Sequence, residues 1–220
     1  MLSKARTLAL LALLACGQAS ADDLPLQMPS ATAQNPGGVA YPEDHVGTRQ
    51  RQGTIAGDRI ANLAFRGYRG GVVQGELEPL SLADYYDPSA ERHRALYIFS
   101  AASWCVICKR VATQLEADGA DLEARGVRIL VLLVNGMEPN QGPSLSALDD
   151  FAAVHPMRLD LAVDVRATAM GAYGLQGVPF NMLIDTRSME ILDAQVGEPD
   201  LDVYAKAGLD YTGSNPPAYP

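Results

Sequence analysis

The sequence predicts an α/β fold in which helices sandwich a central mixed β-sheet. Three observations carry this. The runs "ALYIFS" at 95–100 and "VRILVLLV" at 127–134 are short, almost wholly apolar and β-branched or aromatic, as strands covered on both faces are. Between them, Ile107, Val111 and Leu115 recur at spacing four with Leu122 seven further on, an apolar stripe at helical period. Later, "VPFNMLID" and "EILDAQVG" flank the turn "TRSM", which marks a hairpin and so adds antiparallel strands to the parallel strand-helix-strand unit.

Taken in order, the chain of 220 residues opens with Lys4 and Arg6, an apolar run from Leu8 to Ala15 and then small residues, the layout of a secretory signal. Two processing sites compete: "LLAC" followed by Gly17 reads as a lipoprotein box that would lipidate Cys16, and Ala19-Ser20-Ala21 reads as an ordinary cleavage site. The signal is thus 1–21, or 1–15 for a lipoprotein. Its apolar run is shorter than the roughly 20 residues a spanning helix needs, and membrane contact is expected only through a lipid on Cys16. Loss of Lys4 and Arg6 with the signal takes the formal charge from −9 to −11, which repels phosphate backbones and speaks against nucleic acid as a partner.

Residues 22–56 are rich in Pro, Gly, Gln, Asn and Thr without periodicity and read as a flexible linker. The domain is expected over 57–207 and a tail over 208–220. Within the domain, "ANLAFRGYRGG" and "LEPLSLADYYDP" predict short N-terminal strands and a one-turn helix capped by Ser81. Gly126 terminates the helix that follows the cysteines, and Gly119 bends or interrupts it. In "SLSALDDFAAVHP", Ser146 stands three before Asp149 like a capping box, Leu148, Phe151, Ala152 and His155 lie at helical spacing, and Pro156 ends the helix. "RLDLAVD" predicts a strand, "VRATAMGAYG" a short helix closed by Gly174, and "DLDVYAKAG" a last helix capped by Asp200.

The chemistry concentrates in "WCVIC", Trp104 to Cys108. Once Cys16 is set aside, Cys105 and Cys108 are the only thiols of the chain. Placed after a strand and at the start of a helix, Cys105 meets unsatisfied backbone N–H groups and the positive end of the helix dipole, which favours a thiolate. Two intervening residues bring Cys108 back one turn onto Cys105, so a mixed disulfide at the first sulfur can be resolved by the second. A structural disulfide closing so short a loop constrains the unfolded chain little. A structural zinc site needs about four ligands, whereas no second CxxC is present and His45, His93 and His155 are scattered. The methionines Met137, Met157, Met170, Met182 and Met189 show no ligand spacing and are read as packing residues.

"WCVIC" at a strand-to-helix junction, followed about 70 residues later by "GLQGVPFNMLID", resembles the thioredoxin superfamily, in particular the extracytoplasmic TlpA/ResA-like thiol-disulfide oxidoreductases. The resemblance runs from about Gly57 to Ala207 and implies a thioredoxin-like sandwich. It also implies an inserted helix, matched by the segment from Asn135 to Asp160, and an N-terminal strand extension. "LAVDVRATAMGAYGLQGVP", with Tyr173 and Gly174, is similar to the family's approach to its proline loop. By this resemblance Cys105 is the exposed nucleophile, Cys108 the buried resolving thiol and Trp104 the flanking aromatic. Val178 and Pro179 form the cis-proline loop whose backbone faces the cysteines and pairs with an extended substrate segment. The implied activity needs no metal or organic cofactor, only the redox-active pair, and its partners are a membrane electron donor or acceptor and extracytoplasmic proteins with cysteines or disulfides.

Two departures qualify it. Six positions before Cys105, where thioredoxins carry a buried aspartate, stands Phe99. The dipeptide Val106-Ile107 contains neither Gly-Pro nor a proline, so a relative's potential does not transfer. Lys109 and Arg110 are either cations beside the thiolate or solvated residues of the first turn, and Glu138 and Asp164 are proton carriers only by approximate placement. Two other functions stay open: a thioredoxin-fold binding module whose disulfide is not catalytic, and a peroxiredoxin-like peroxidase, whose proline and threonine before a lone cysteine are missing here.

Overall fold

The computed structural model describes residues 27–43, 57–71, 77–139, 142–165, 167, 169 and 177–214. Cys16, His45, Met170, Tyr173 and Gly174, and with them the signal and most of the helix expected in "VRATAMGAYG", lie outside the described residues. The strands are β1 (Ala64–Tyr68), β2 (Glu78–Ser81), β3 (Ala95–Ala102), β4 (Val127–Asn135), β5 (Asp160–Val163), β6 (Phe180–Asp185) and β7 (Glu190–Val196). They form one seven-stranded sheet in the order β2-β1-β5-β4-β3-β6-β7. β3, β4 and β5 pair in parallel and every other pair is antiparallel, the mixed sheet the sequence predicts.

The helices are α1 (Val106–Ala124), α2 (Leu145–Val154) and α3 (Leu201–Ser214). β3 and β4 read as continuous apolar runs because neither face meets water. Tyr97, Phe99 and Ala101 of β3 join a core with Val111, Leu115 and Leu122 of α1, Phe151 of α2 and Ala205 of α3. Leu96 and Ile98, on the opposite face, pack with Ile60, Leu82, Tyr85, Phe180, Met182 and Ile184. Met157, Met182 and Met189 are buried packing residues, while Met137 is exposed.

Several expectations change in detail. The buried stripe of α1 is Cys108, Val111, Ala112, Leu115, Gly119 and Leu122. Ile107 lies one residue, about 100° of helix, from its start and is exposed. Gly119 does not interrupt α1: it lets Leu159 approach, and a Cβ there would come 3.2 Å from a Leu159 methyl. Gly126 ends the helix with φ 98°. The cap of α2 is Ser144, extended at φ −116° and ψ 168°, with its hydroxyl accepting from Ala147 N, so Ser146 falls within the first turn.

The one-turn helix after Ser81, Leu82–Tyr85, is a 3₁₀ turn with the capping box completed by Asp84. Asp200 accepts from Val203 N at 3.1 Å at the start of α3, as anticipated. That helix continues past the expected boundary at 207, because Gly208 seats it directly on Leu183 of β6. At the other end, residues 27–43 of the expected linker are docked. Tyr41 is buried and its hydroxyl donates to Ile60 O at 2.7 Å, and Asn35 Nδ2 donates to Tyr86 O at 3.0 Å. Composition concealed this because single residues scattered along the stretch, rather than an apolar run, make the anchorage. Among the described residues, no helix is long and apolar enough to cross a membrane.

Candidate active site

Two neighbouring strands assemble the site. β3 and β6 are antiparallel, with Ser100 opposite Phe180 and Phe99 opposite Asn181, so the end of β3 that leads into the cysteines meets the start of β6 that carries the proline loop. After β3, Ala102 O accepts from Cys105 N at 3.1 Å, and the chain turns through Ser103 and Trp104 into α1. Cys105 is the N-cap of α1: its sulfur accepts from Cys108 N at 3.1 Å, a bond to one of the orphan N–H groups of a helix start. The two cysteines form a disulfide with Cα atoms 5.2 Å apart. On reduction the same N–H and the helix dipole favour the Cys105 thiolate.

The facing wall is the proline loop. The Val178–Pro179 peptide bond is cis and Gly177 before it sits at φ 141°. Val178 O lies 3.8 Å from Cys105 Sγ. The predicted residues Cys105, Cys108 and Val178 are therefore brought together, with Trp104 next in sequence and Pro179 buried behind. The thiol expected to be exposed is more enclosed than foreseen: Cys105 is 5% exposed against 0% for Cys108, since the sulfur is tucked onto the helix start and against the Val178 carbonyl. What surrounds it is open and apolar, with Trp104 and Ile107 each 39% exposed and Val106 68%.

A third wall was not foreseen. Where β7 ends, Gly197 N donates to Pro179 O at 2.9 Å, and Asn181 Nδ2 donates to Gly197 O at 2.8 Å. Val196 is exposed beside Gly177, where an added Cβ would stand 3.1 Å from Val196 Cγ1. Arg110 is committed to this wall through a 2.6 Å ion pair with Glu198, and its hydrogen bonds hold the Glu198 carboxyl below the usual carboxylate range. Lys109 is exposed and makes no ion pair among the described residues. The signal that was available was Asn181 itself, an amide at a buried strand position, where an unpaired polar group would be costly.

Phe99 is fully buried in the core facing α1, so that position carries no proton acceptor. Asp164 is buried and accepts from Ala169 N at 2.7 Å, a turn-stabilising role, while Glu138 is exposed beyond β4. Among the described residues no three His, Cys, Asp or Glu side chains converge. His93 Nε2 lies 2.9 Å from Tyr85 O, and His155 Nδ1 lies 2.5 Å from Glu116.

A model of the AhpC/TSA family matches residues 61–196. No curated protein matches the chain by sequence. Among solved structures, the Chlorobium tepidum protein assigned as thiol:disulfide interchange protein DsbE has 20% identity and a TM-score of 0.54, over 73% of this chain and 98% of that one. A protein from Neisseria meningitidis assigned as a thioredoxin has 18% identity and a TM-score of 0.52, over 74% and 92%. AhpC of Enterococcus faecalis has 9% identity and a TM-score of 0.55, over 73% and 95%. These structures share the fold. With the family model spanning residues 61–196 and a thioredoxin-like sheet presenting the Cys105–Cys108 disulfide, the chain belongs to the AhpC/TSA family of thioredoxin-fold oxidoreductases.

Proposed function

We propose that this protein exchanges electrons with the cysteines of extracytoplasmic proteins through Cys105. The observation that carries the reading is the disulfide at the N-terminus of α1, its first sulfur 3.8 Å from Val178 O and its surroundings apolar and open at Trp104, Val106 and Ile107. Backbone groups and an apolar rim suit an extended segment of a partner protein. In the reducing direction the Cys105 thiolate attacks one sulfur of a client disulfide. A Cys105–client S–S bond forms, the client S–S bond breaks, and the released thiolate takes a proton. Cys108, once deprotonated, attacks Cys105 Sγ and expels the second client thiol, so two electrons pass to the client and the Cys105–Cys108 disulfide is left. The oxidised pair runs the steps backwards.

Cys108 and Cys105 supply all the redox chemistry, so no metal or organic cofactor enters. The secretory layout of the first residues supports an extracytoplasmic site of action, anchored through Cys16 if the lipoprotein box is used, with a membrane-bound electron donor or acceptor. Cys108→Ser should trap client proteins as disulfides on Cys105, released by dithiothreitol, and Cys105→Ser should trap none. Clients retained equally by both variants would instead establish the non-catalytic binding module that the buried Phe99 favours. The family match keeps a peroxidase in view. A peroxide-consumption assay with and without Cys105 decides it.

A further inference from the structure

The face of the sheet beneath the start of α1 lacks a buried acid at Phe99, yet it is not purely apolar. Directly across from Phe99 in the β3–β6 register stands Asn181, fully buried. Asparagine is disfavoured in strands, and a buried amide costs stability unless its hydrogen bonds are made. Here they are made. Asn181 Oδ1 accepts from the Tyr97 hydroxyl at 2.6 Å, and Asn181 Nδ2 donates to Gly197 O at 2.8 Å and, more weakly, to Gln195 O at 3.4 Å. Burial pushes the Tyr97 phenol far above its ordinary range, so it remains a donor and fixes which way the amide points.

From Gly197 the connection continues to the site. Gly197 N donates to Pro179 O at 2.9 Å, and the preceding carbonyl, Val178 O, is the one beside Cys105 Sγ. Glu198, next along, binds Arg110 in the first turn of α1. One amide thus ties β3, the exit of β7, the proline loop and, through its neighbour, the cysteine helix.

We infer that Asn181 is a positioning residue for disulfide exchange, holding the Gly197 turn and through it the Val178–Pro179 backbone at the height where a client segment meets Cys105. The inference rests on the oxidoreductase reading and touches no reacting atom. It differs from a proton-transfer role, because both ends of the amide are already committed.

The test uses the secreted protein with insulin as the disulfide substrate and dithiothreitol as the electron source. Asn181→Asp keeps the shape and the acceptor for Tyr97 but turns the donor toward Gly197 O into a second acceptor; Asn181→Leu removes both. For either, KM for insulin should rise about tenfold, the effect of one lost buried hydrogen bond, with a smaller change in kcat. The rate at which iodoacetamide alkylates reduced Cys105 should stay within about twofold of wild type, because the helix start that sets the thiolate is untouched.

Tyr97→Phe, which spares Nδ2, should raise KM by about threefold and keeps the test alive if the Asn181 variants do not fold. An unchanged KM in all variants that fold overturns the inference, as does a KM change matched by an equal fall in alkylation rate, which would mean general loss of the site. A wild-type protein that reduces no insulin overturns the oxidoreductase reading together with the inference. Wild-type turnover with unmoved variants overturns the inference alone.

Discussion

A single carboxylate organises the approach to β3. Asp87 is buried and accepts from the backbone N–H of Arg92 at 2.7 Å and of His93 at 3.0 Å, and its own N–H donates to Thr186 O at 2.9 Å. Thr186 in turn donates to Arg94 O and His93 O, so the loop that enters β3 is laced to the β6–β7 turn. Burial alone would raise the Asp87 pKa, but the two loop N–H groups outweigh it and the net shift is downward from 3.8. A depressed carboxylate stabilises the fold above its unfolded pKa, and that stability drains away as pH falls through the lower folded value. Asp87→Ala should therefore lose about 2 kcal/mol near neutral pH, the cost of two part-buried N–H groups losing a charged acceptor. Urea denaturation of both proteins should show the gap narrowing as the pH falls below the ordinary carboxylate range and the wild-type carboxylate takes up its proton. A gap that stays constant with pH would show that the carboxylate charge contributes nothing.

At the level of elements, legibility followed locality. β3, β4, the β6–β7 hairpin and the N-cap Ser81 were readable because each depends on a few adjacent residues; the pairing of Cys105 with Cys108 follows from a two-residue spacing, whereas Val178–Pro179, about 70 residues away, was marked only by the family resemblance. What escaped depends on how distant segments meet. Ile107 leaves the buried stripe because α1 is rotated so that Cys108 faces the sheet, and the Asn181–Gly197 wall exists only once β6 and β7 pair. The end of α3 escaped for the same reason, since a glycine at 208 looks like a stop until Leu183 is seen against it. A Cβ at Gly208 would lie 2.5 Å from Leu183 Cδ2 and 3.0 Å from Cγ. Gly208→Ala adds about 1 kcal/mol of helix propensity yet overpacks a helix–sheet contact, which costs about 1–3 kcal/mol. The variant should be the less stable, with a lower thermal midpoint. A raised midpoint would mean that α3 is free to lift from β6.

For the whole molecule, the sheet has two faces to cover, and they are covered by different parts of the chain. α1, α2 and α3 close the face of Tyr97 and Phe99; the face of Leu96 and Ile98 is closed by Ile60, Leu82, Tyr85 and Ala169, with Tyr41 buried in the same cluster and Met28 packed against it. The N-terminal stretch is fastened at several points: Tyr41 to Ile60 O, Asn35 to Tyr86 O, Thr32 N to Ser81 Oγ, and Asn62 Nδ2 to Thr32 O. The ring of Tyr41 also meets Tyr86 edge-on at 6.0 Å. None of these contacts involves Cys105, Cys108 or the proline loop, so stability and exchange should separate. Starting the protein at residue 44 should lower its unfolding free energy by about 3 kcal/mol or more, the scale of removing one buried aromatic and its hydrogen bond. The rate of insulin reduction, measured in dilute buffer where the shortened protein is still folded, should be unchanged. A passive tether would leave both quantities where they were, whereas loss of exchange in a protein still folded by circular dichroism would mean that this stretch also shapes the site. The predicted split, a lower urea midpoint with an intact rate, identifies residues 27–43 as part of the domain's second layer rather than as the cord that attaches it.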